Sequence, residues 1–214
     1  MSSLSPGHRD RRVEVLAILA MVGVAIFVGI VMLLPAFRSE YSPLKNAISD
    51  YAVGRYGYVQ TAAFICLGFS SLALALGLYE ATRGFGWARV GCGFVGIRGI
   101  GLVLAGVFPT HVEGQLGGSA TGTTHIVVTT LSDISLIAAM FMFGRAFGQD
   151  DKWRSFRVLS LGLGVMALAA FLVTASAQGT EWFGIPQRIF VATLVLWMLF
   201  TAIRLRVIAR ATSA

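Results

Sequence analysis

Six stretches of membrane length, each almost free of charge, divide this chain, and no other feature limits its fold so severely. An apolar helix needs about 20 residues to cross the hydrocarbon core of a bilayer. Runs of that length lie at Val13 to Phe37, Tyr58 to Thr82, Trp87 to Phe108, Gly122 to Phe147, Phe156 to Ala177 and Pro186 to Ile208. Lipid offers the backbone no hydrogen-bond partner, so such runs are helices. The expected fold is all-α, a polytopic bundle of six transmembrane helices forming one domain over residues 13–208. A mobile N-terminus of residues 1–12 and a tail of residues 209–214 flank it. The chain is 56% hydrophobic and 13% charged with a mean hydropathy of +0.77, beyond the range of ordinary soluble domains. Arg11 and Arg12 precede an apolar run much as in an export signal, but the run outlasts a signal's apolar region and no Ala-x-Ala site follows, so the first helix reads as retained.

The basic residues set the expected orientation. Loops kept in the cytoplasm carry the excess of Lys and Arg. With six spans both termini share one side, and the segments of that side hold twelve basic residues against five acidic ones. The other side holds Arg38, Lys45, Arg55 and Arg188 against Glu40, Asp50, Glu113 and Glu181, leaving Arg98 and Asp133 within the spans. The whole net charge of +7 therefore falls on the terminal side, which reads as cytoplasmic, and the membrane as the bacterial plasma membrane. Topology and anionic lipid account for the sequence pI near 10.1, and nucleic acid is not an expected partner. Cys66 and Cys92 lie at different depths on successive spans, too far apart for a disulfide, and read as free core thiols. Trp87 and Trp153 are expected at the cytoplasmic interface and Trp182 at the outer one.

Three motif matches fail on context. Gly91-Cys92-Gly93-Phe94-Val95-Gly96 matches a dinucleotide-binding string but neither follows a strand nor opens a phosphate-facing turn. Glycines on a membrane helix instead let neighbours approach, as Gly101 with Ala105 would. Ser42-x-x-Lys45 lacks the companions of a serine acyl-enzyme. Histidines and carboxylates near the outer side show no metal-ligand spacing, so neither a metal nor a cofactor is expected.

The polar residues concentrate at one end. Ser42 followed by Pro43 reads as a helix start, and at the helical period Leu44, Ala47, Ile48 and Tyr51 share one face while Lys45, Asn46, Ser49 and Asp50 share the other. A short helix lying at the bilayer interface is the expectation. A Gly54 to Tyr58 turn bearing Arg55 leads into span two. His111 and Glu113 follow span three. Span four carries His125, Thr129, Ser132 and Asp133 on one face, which must look into the bundle, and Asp133 is level with Arg98 on span three, so the two are expected to pair. Gln187 and Arg188 open span six, where a cation faces the positive end of a helix and needs an anionic partner. Asp50 is the expected one, with His125 beneath.

These residues carry a resemblance. The order Tyr41-Ser42-Pro43-Leu44 to Ile48-Ser49-Asp50-Tyr51, then Phe108-Pro109, then His125, then Gly184 to Arg188, resembles the bacterial membrane proteins grouped as domain of unknown function 998, over nearly the whole chain. The resemblance implies a fold and a membrane location and no established activity. It implies that Ser49, Asp50, His125 and Arg188 occupy positions the family keeps polar. After Pro109 the chain has Thr110 and His111 where the family pattern leads one to expect an acidic residue, so no metal or acid role carries over to that loop.

The functional expectation is an outward-opening polar pocket that binds, carries or senses a lipid headgroup or small amphiphile. Lys45, Asn46, Ser49, Asp50, Arg55, His111, Glu113, His125, Thr129, Gln187 and Arg188 would line it, with room for an acyl chain along the glycine-rich third helix. Two alternatives stand beside it. One is a membrane hydrolase, with Ser49, Asp50 and His125 as catalytic candidates. The other is a proton-coupled transporter resting on Arg98 and Asp133. The orientation has a direct check: a cysteine placed at residues 150–152 should resist an impermeant maleimide applied to intact cells, and labelling there from outside would reverse the topology.

Overall fold

The structure, a computed structural model, describes residues 6–82, 86–110 and 119–213. The apolar runs form six helices, each long and apolar enough to cross a membrane, and no strand occurs among the described residues. They are α1 (Pro6–Leu33), α2 (Gly57–Ala81), α3 (Gly86–Val107), α4 (Ala120–Phe147), α5 (Phe156–Ser176) and α6 (Gly184–Ser213). A tight 3-10 turn, Leu34–Phe37, continues α1, and another, Ser49–Ala52, lies between α1 and α2. This is the architecture of a multi-pass membrane protein.

Helix α1 begins at Pro6, earlier than its apolar run, because its first turns have partners. Arg9 and Arg12 both approach the buried carboxylate of Glu80 on α2, at 3.9 and 3.8 Å. Within the next turn, Glu14 meets Arg206 and Arg210 of α6 at 3.3 and 2.6 Å. Elsewhere the helix ends are local decisions. The Ser119 hydroxyl accepts the Gly122 N–H at 3.0 Å to start α4, and the Thr82 hydroxyl donates to the Leu78 carbonyl at 2.6 Å where α2 stops.

Each helix packs on its neighbours in sequence and α6 returns to α1, closing a ring in which α6 also touches α2 and α4. Hydrophobic burial cannot drive helices together in lipid, so close packing and interhelical hydrogen bonds must. The glycines of α3 supply the first. A Cβ on Gly99 would stand 2.9 Å from the Gly68 carbonyl of α2, one on Gly68 would stand 2.8 Å from the Gly99 carbonyl, and one on Gly101 would collide with Ser132 of α4. The room expected for an acyl chain along α3 is thus filled by α2 and α4 on these faces. Buried hydroxyls supply the second. Trp197 Nε1 on α6 donates to Ser160 Oγ on α5 at 2.9 Å, and that hydroxyl donates to the Met140 carbonyl of α4 at 2.8 Å. Trp153 is not the interfacial anchor expected of it: it is 1% exposed and stacks on Phe147 at 4.4 Å, since α6 and the end of α4 enclose it. Trp87 and Trp182 are exposed, and both cysteines are free, Cys92 buried and Cys66 half-buried.

Two glycines on the same helix should therefore respond oppositely. Gly99→Ala forces backbone apart and should cost about 1–3 kcal/mol. Gly96, whose Cβ would meet nothing within 4 Å, should gain up to about 1 kcal/mol as Ala from helix propensity alone. Thermal unfolding in detergent reads both, and equal shifts would mean α2 and α3 are not in backbone contact.

Candidate functional site

The end of the bundle carrying residues 38–56 gathers most of the polar residues that the sequence singles out, and the structure spends them on holding that segment in place. The expected interfacial helix does not form. Ser42 starts a single turn, with its carbonyl accepting the Asn46 N–H at 2.8 Å, but the turn stops there because side chains take over the backbone donors. Asn46 Oδ1 accepts the Ser42 N–H at 2.9 Å, Asp50 Oδ2 accepts the Ala47 N–H at 2.8 Å, and Gln187 Oε1 on α6 accepts the Ile48 N–H at 2.8 Å. Asx-type bonding of this sort competes with helix propagation. Ala47, Ile48 and Tyr51 are buried as their pattern requires, whereas Leu44 is exposed.

This segment docks on the first turn of α6. The Gly184 N–H donates to the Leu44 carbonyl at 2.8 Å, which satisfies a donor that a helix start leaves orphaned. Only glycine fits at this point, because a Cβ would run into the Pro43 carbonyl. Arg188 Nη1 donates to the Asn46 carbonyl at 2.8 Å and to the Gly184 carbonyl at 3.1 Å. Lys45 pairs with Glu181 at 2.8 Å, an exposed pair of the kind worth about 0–1 kcal/mol.

The expected Asp50–Arg188 unit takes a looser form. The two groups feel each other electrostatically, while the hydrogen bonds of the Arg188 guanidinium go to the carbonyls of Asn46 and Gly184. Arg188 answers its awkward position with carbonyls and with the Tyr51 phenol instead. Burial holds that phenol above its ordinary pKa, partly offset by the Arg188 cation, so it stays neutral, accepting from Arg188 and donating to the Tyr41 carbonyl at 3.4 Å.

Arg38 is the residue the sequence reading passed over. It follows the first span directly, is 2% exposed, and gathers the segment around itself. Its guanidinium donates to the carbonyls of Tyr51 at 3.4 Å, Val53 at 2.9 Å and Arg55, forms an ion pair with Glu40, and lies 4.6 Å from the Tyr41 ring centroid. The available signal was its place on the side sparse in positive charge, the same argument that singled out Arg188.

His125 does not lie in this cluster. It is buried on α4, with Nδ1 at 2.8 and 3.0 Å from the Phe108 and Ala105 carbonyls and its ring edge against Phe64, so it closes the end of α3. The hydrogen bonds of its Nδ1 thus go to the end of α3 and not to Ser49 or Asp50. The polar face of α4 also looks after itself, Thr129 bonding the His125 carbonyl at 2.8 Å and Ser132 that of Val128. Arg98 and Asp133 pair as expected, with the Arg98 side chain 3% exposed and its Nε without an acceptor among the described residues. His111 and Glu113 lie outside the described residues.

A different feature stands beside the polar cluster. Between α1 and the start of α2 runs an apolar groove of about 590 Å³, lined by Ala25, Ile26, Gly29, Ile30, Leu33, Leu34, Phe37, Tyr56 and Val59. Tyr56 closes its polar end with φ of 60°, the one positive value on a non-glycine residue among those described. For a bulky side chain this is a strained conformation costing roughly 1–3 kcal/mol. Arg55 lies over the Tyr56 ring at 4.7 Å and donates to its hydroxyl at 2.8 Å.

The sequence profile of the family described as protein of unknown function (DUF998) matches residues 21–204. Comparison with curated proteins and with solved structures found no match.

Arg38 should prove the keystone of the segment. Arg38→Gln should cost roughly 1.5–3 kcal/mol, the worth of hydrogen bonds to a charged group. The acid partner adds a pH dependence. The backbone N–H of Glu40 itself, then the Arg38 guanidinium, hold its carboxyl below the usual range. The stability it contributes is present above the unfolded carboxyl value and lost as pH falls through the lower folded one. Thermal melts in detergent should therefore lose stability on acidification in wild type and less steeply in Glu40→Gln, and parallel curves would remove Glu40 from the assembly.

Proposed function

We propose that this chain, which belongs to the DUF998 family, binds a membrane amphiphile by its apolar chain in the groove between α1 and α2. The end bearing residues 38–56 would face outward, with the basic terminal end in the cytoplasm of a plasma membrane. The groove is the observation that carries this reading. From Ala25 it follows α1 to Leu33 for about 12 Å at 1.5 Å per residue and then the Leu34–Phe37 turn for about 8 Å at 2.0 Å per residue, enough to cover the roughly 15 Å depth of one leaflet of a 30 Å hydrocarbon core. Its wall is aliphatic from Ala25 to Leu34, becomes aromatic at Phe37 and Tyr56, and gains a polar group at the Tyr56 hydroxyl.

This moves the ligand away from the polar pocket expected from sequence. The side chains of Asn46, Gln187 and Arg188 are engaged by the Ser42 N–H, the Ile48 N–H and the Asn46 carbonyl, and Lys45 is paired with Glu181. Their work in this reading is to fix residues 38–56 and so hold Tyr56 and Arg55 at the groove's end.

Gly29 offers the test, because a Cβ there meets nothing within 4 Å and the residue lines the groove, so a large side chain would fill it. Gly29→Trp should leave the thermal midpoint within about 0.5 kcal/mol of wild type yet sharply reduce co-purified lipid counted by native mass spectrometry. Unchanged lipid occupancy in a stably folded variant would sink the proposal.

A further inference from the structure

We infer that the amphiphile is a net-anionic phospholipid, its acyl chain along α1 and its phosphate on the Arg55 guanidinium. This rests on the groove reading above and assigns the chemistry of the headgroup. The groove supplies no charge along its length, so the selection must come from its mouth, where Arg38 is buried and paired with Glu40 and Arg55 is an exposed cation. Arg55 is exposed and is fixed by its neighbour, with Nη2 on the Tyr56 hydroxyl and its plane over the Tyr56 ring. Tyr56 in turn lines the groove, held in the left-handed region of backbone space that a tyrosine rarely adopts. Ring and guanidinium are thereby set where an acyl chain leaves hydrocarbon and its headgroup begins.

The charge of Arg55 is also uncommitted. Among the described residues no carboxylate forms an ion pair with it, and Glu40, which feels its charge, is already engaged by Arg38. The Arg55 carbonyl is occupied by Arg38, which anchors the backbone and leaves the guanidinium with donors to spare. Guanidinium geometry suits a phosphate, which it can meet with two parallel N–H bonds. A zwitterionic headgroup brings its own ammonium into the same space and loses much of that attraction. A lipid with net negative charge does not.

Competition between lipids of identical acyl chains separates headgroup from tail. Detergent-purified protein would be offered phosphatidylglycerol and phosphatidylcholine together, and bound species counted by native mass spectrometry. Wild type should prefer phosphatidylglycerol by about fivefold, the ratio one cation near an anionic surface commands. Arg55→Gln should abolish the preference while total occupancy holds, and Arg55→Lys should keep part of it. Raised salt should shrink the wild-type preference. Gly29→Trp should lower the occupancy of both lipids. Equal binding of the two lipids by wild type, or a preference that survives Arg55→Gln, overturns the anionic assignment and leaves the groove intact. Occupancy unchanged by Gly29→Trp overturns the groove, and the assignment with it.

Discussion

Hydrocarbon accepts and donates no hydrogen bonds, and the whole molecule is arranged around that fact. Within the spans the helix satisfies its own backbone. The difficulty lies where helices end, since each terminus exposes donors or acceptors without partners. At the end bearing residues 38–56 the chain meets it with two arginines whose guanidinium groups collect carbonyls: Arg38 those of Tyr51, Val53 and Arg55, and Arg188 those of Asn46 and Gly184. Leu44 and Gln187 supply the acceptors that Gly184 and Ile48 need. The result is a rigid cover on one rim of the helix ring, built almost wholly from polar side chains bonding to main chain.

The ring depends on a second kind of economy. Glycines at the α2–α3 and α3–α4 crossings bring backbones close enough for dispersion to act in place of hydrophobic burial. Single hydroxyls then fasten helices that are otherwise apolar, as Ser160 does between α4, α5 and α6 and Ser70 does by donating to the Ala20 carbonyl of α1. Arg98 and Asp133 belong to this class. A charge on α3 and its opposite on α4 neutralise each other beside the Gly101–Ser132 contact, where either alone would be costly.

Function in such a protein is sought where polar groups are left over or where the apolar wall is not flush. The cluster at residues 42–50 leaves little over, because its members are used in docking on α6. The wall between α1 and α2 departs from flush packing, and it ends at the one strained non-glycine backbone among the described residues, with a cation stacked on it. Strain of this sort persists only where surrounding structure enforces it, and here that structure is the Arg38-centred segment.

How much of this was legible in sequence depends on whether the deciding physics is local. The six spans were, and their ends fall within a few residues of the apolar runs except at the start of α1 and the end of α6, because the solvent imposes length and hydropathy on each segment independently. So was the Arg98–Asp133 pair, since two opposite charges at one depth have few other places to go. The short helix after Pro43 was not, because its propagation was decided by Gln187, far away in sequence, and by Asn46 and Asp50 choosing backbone over ligand. His125 looked like a site residue by type and depth, but only packing puts the Phe108 carbonyl against its ring. Hydropathy belongs to a segment and can be read from it. Which donor meets which acceptor, and where two helices fail to close, belong to pairs of segments, and the tertiary structure alone decides them.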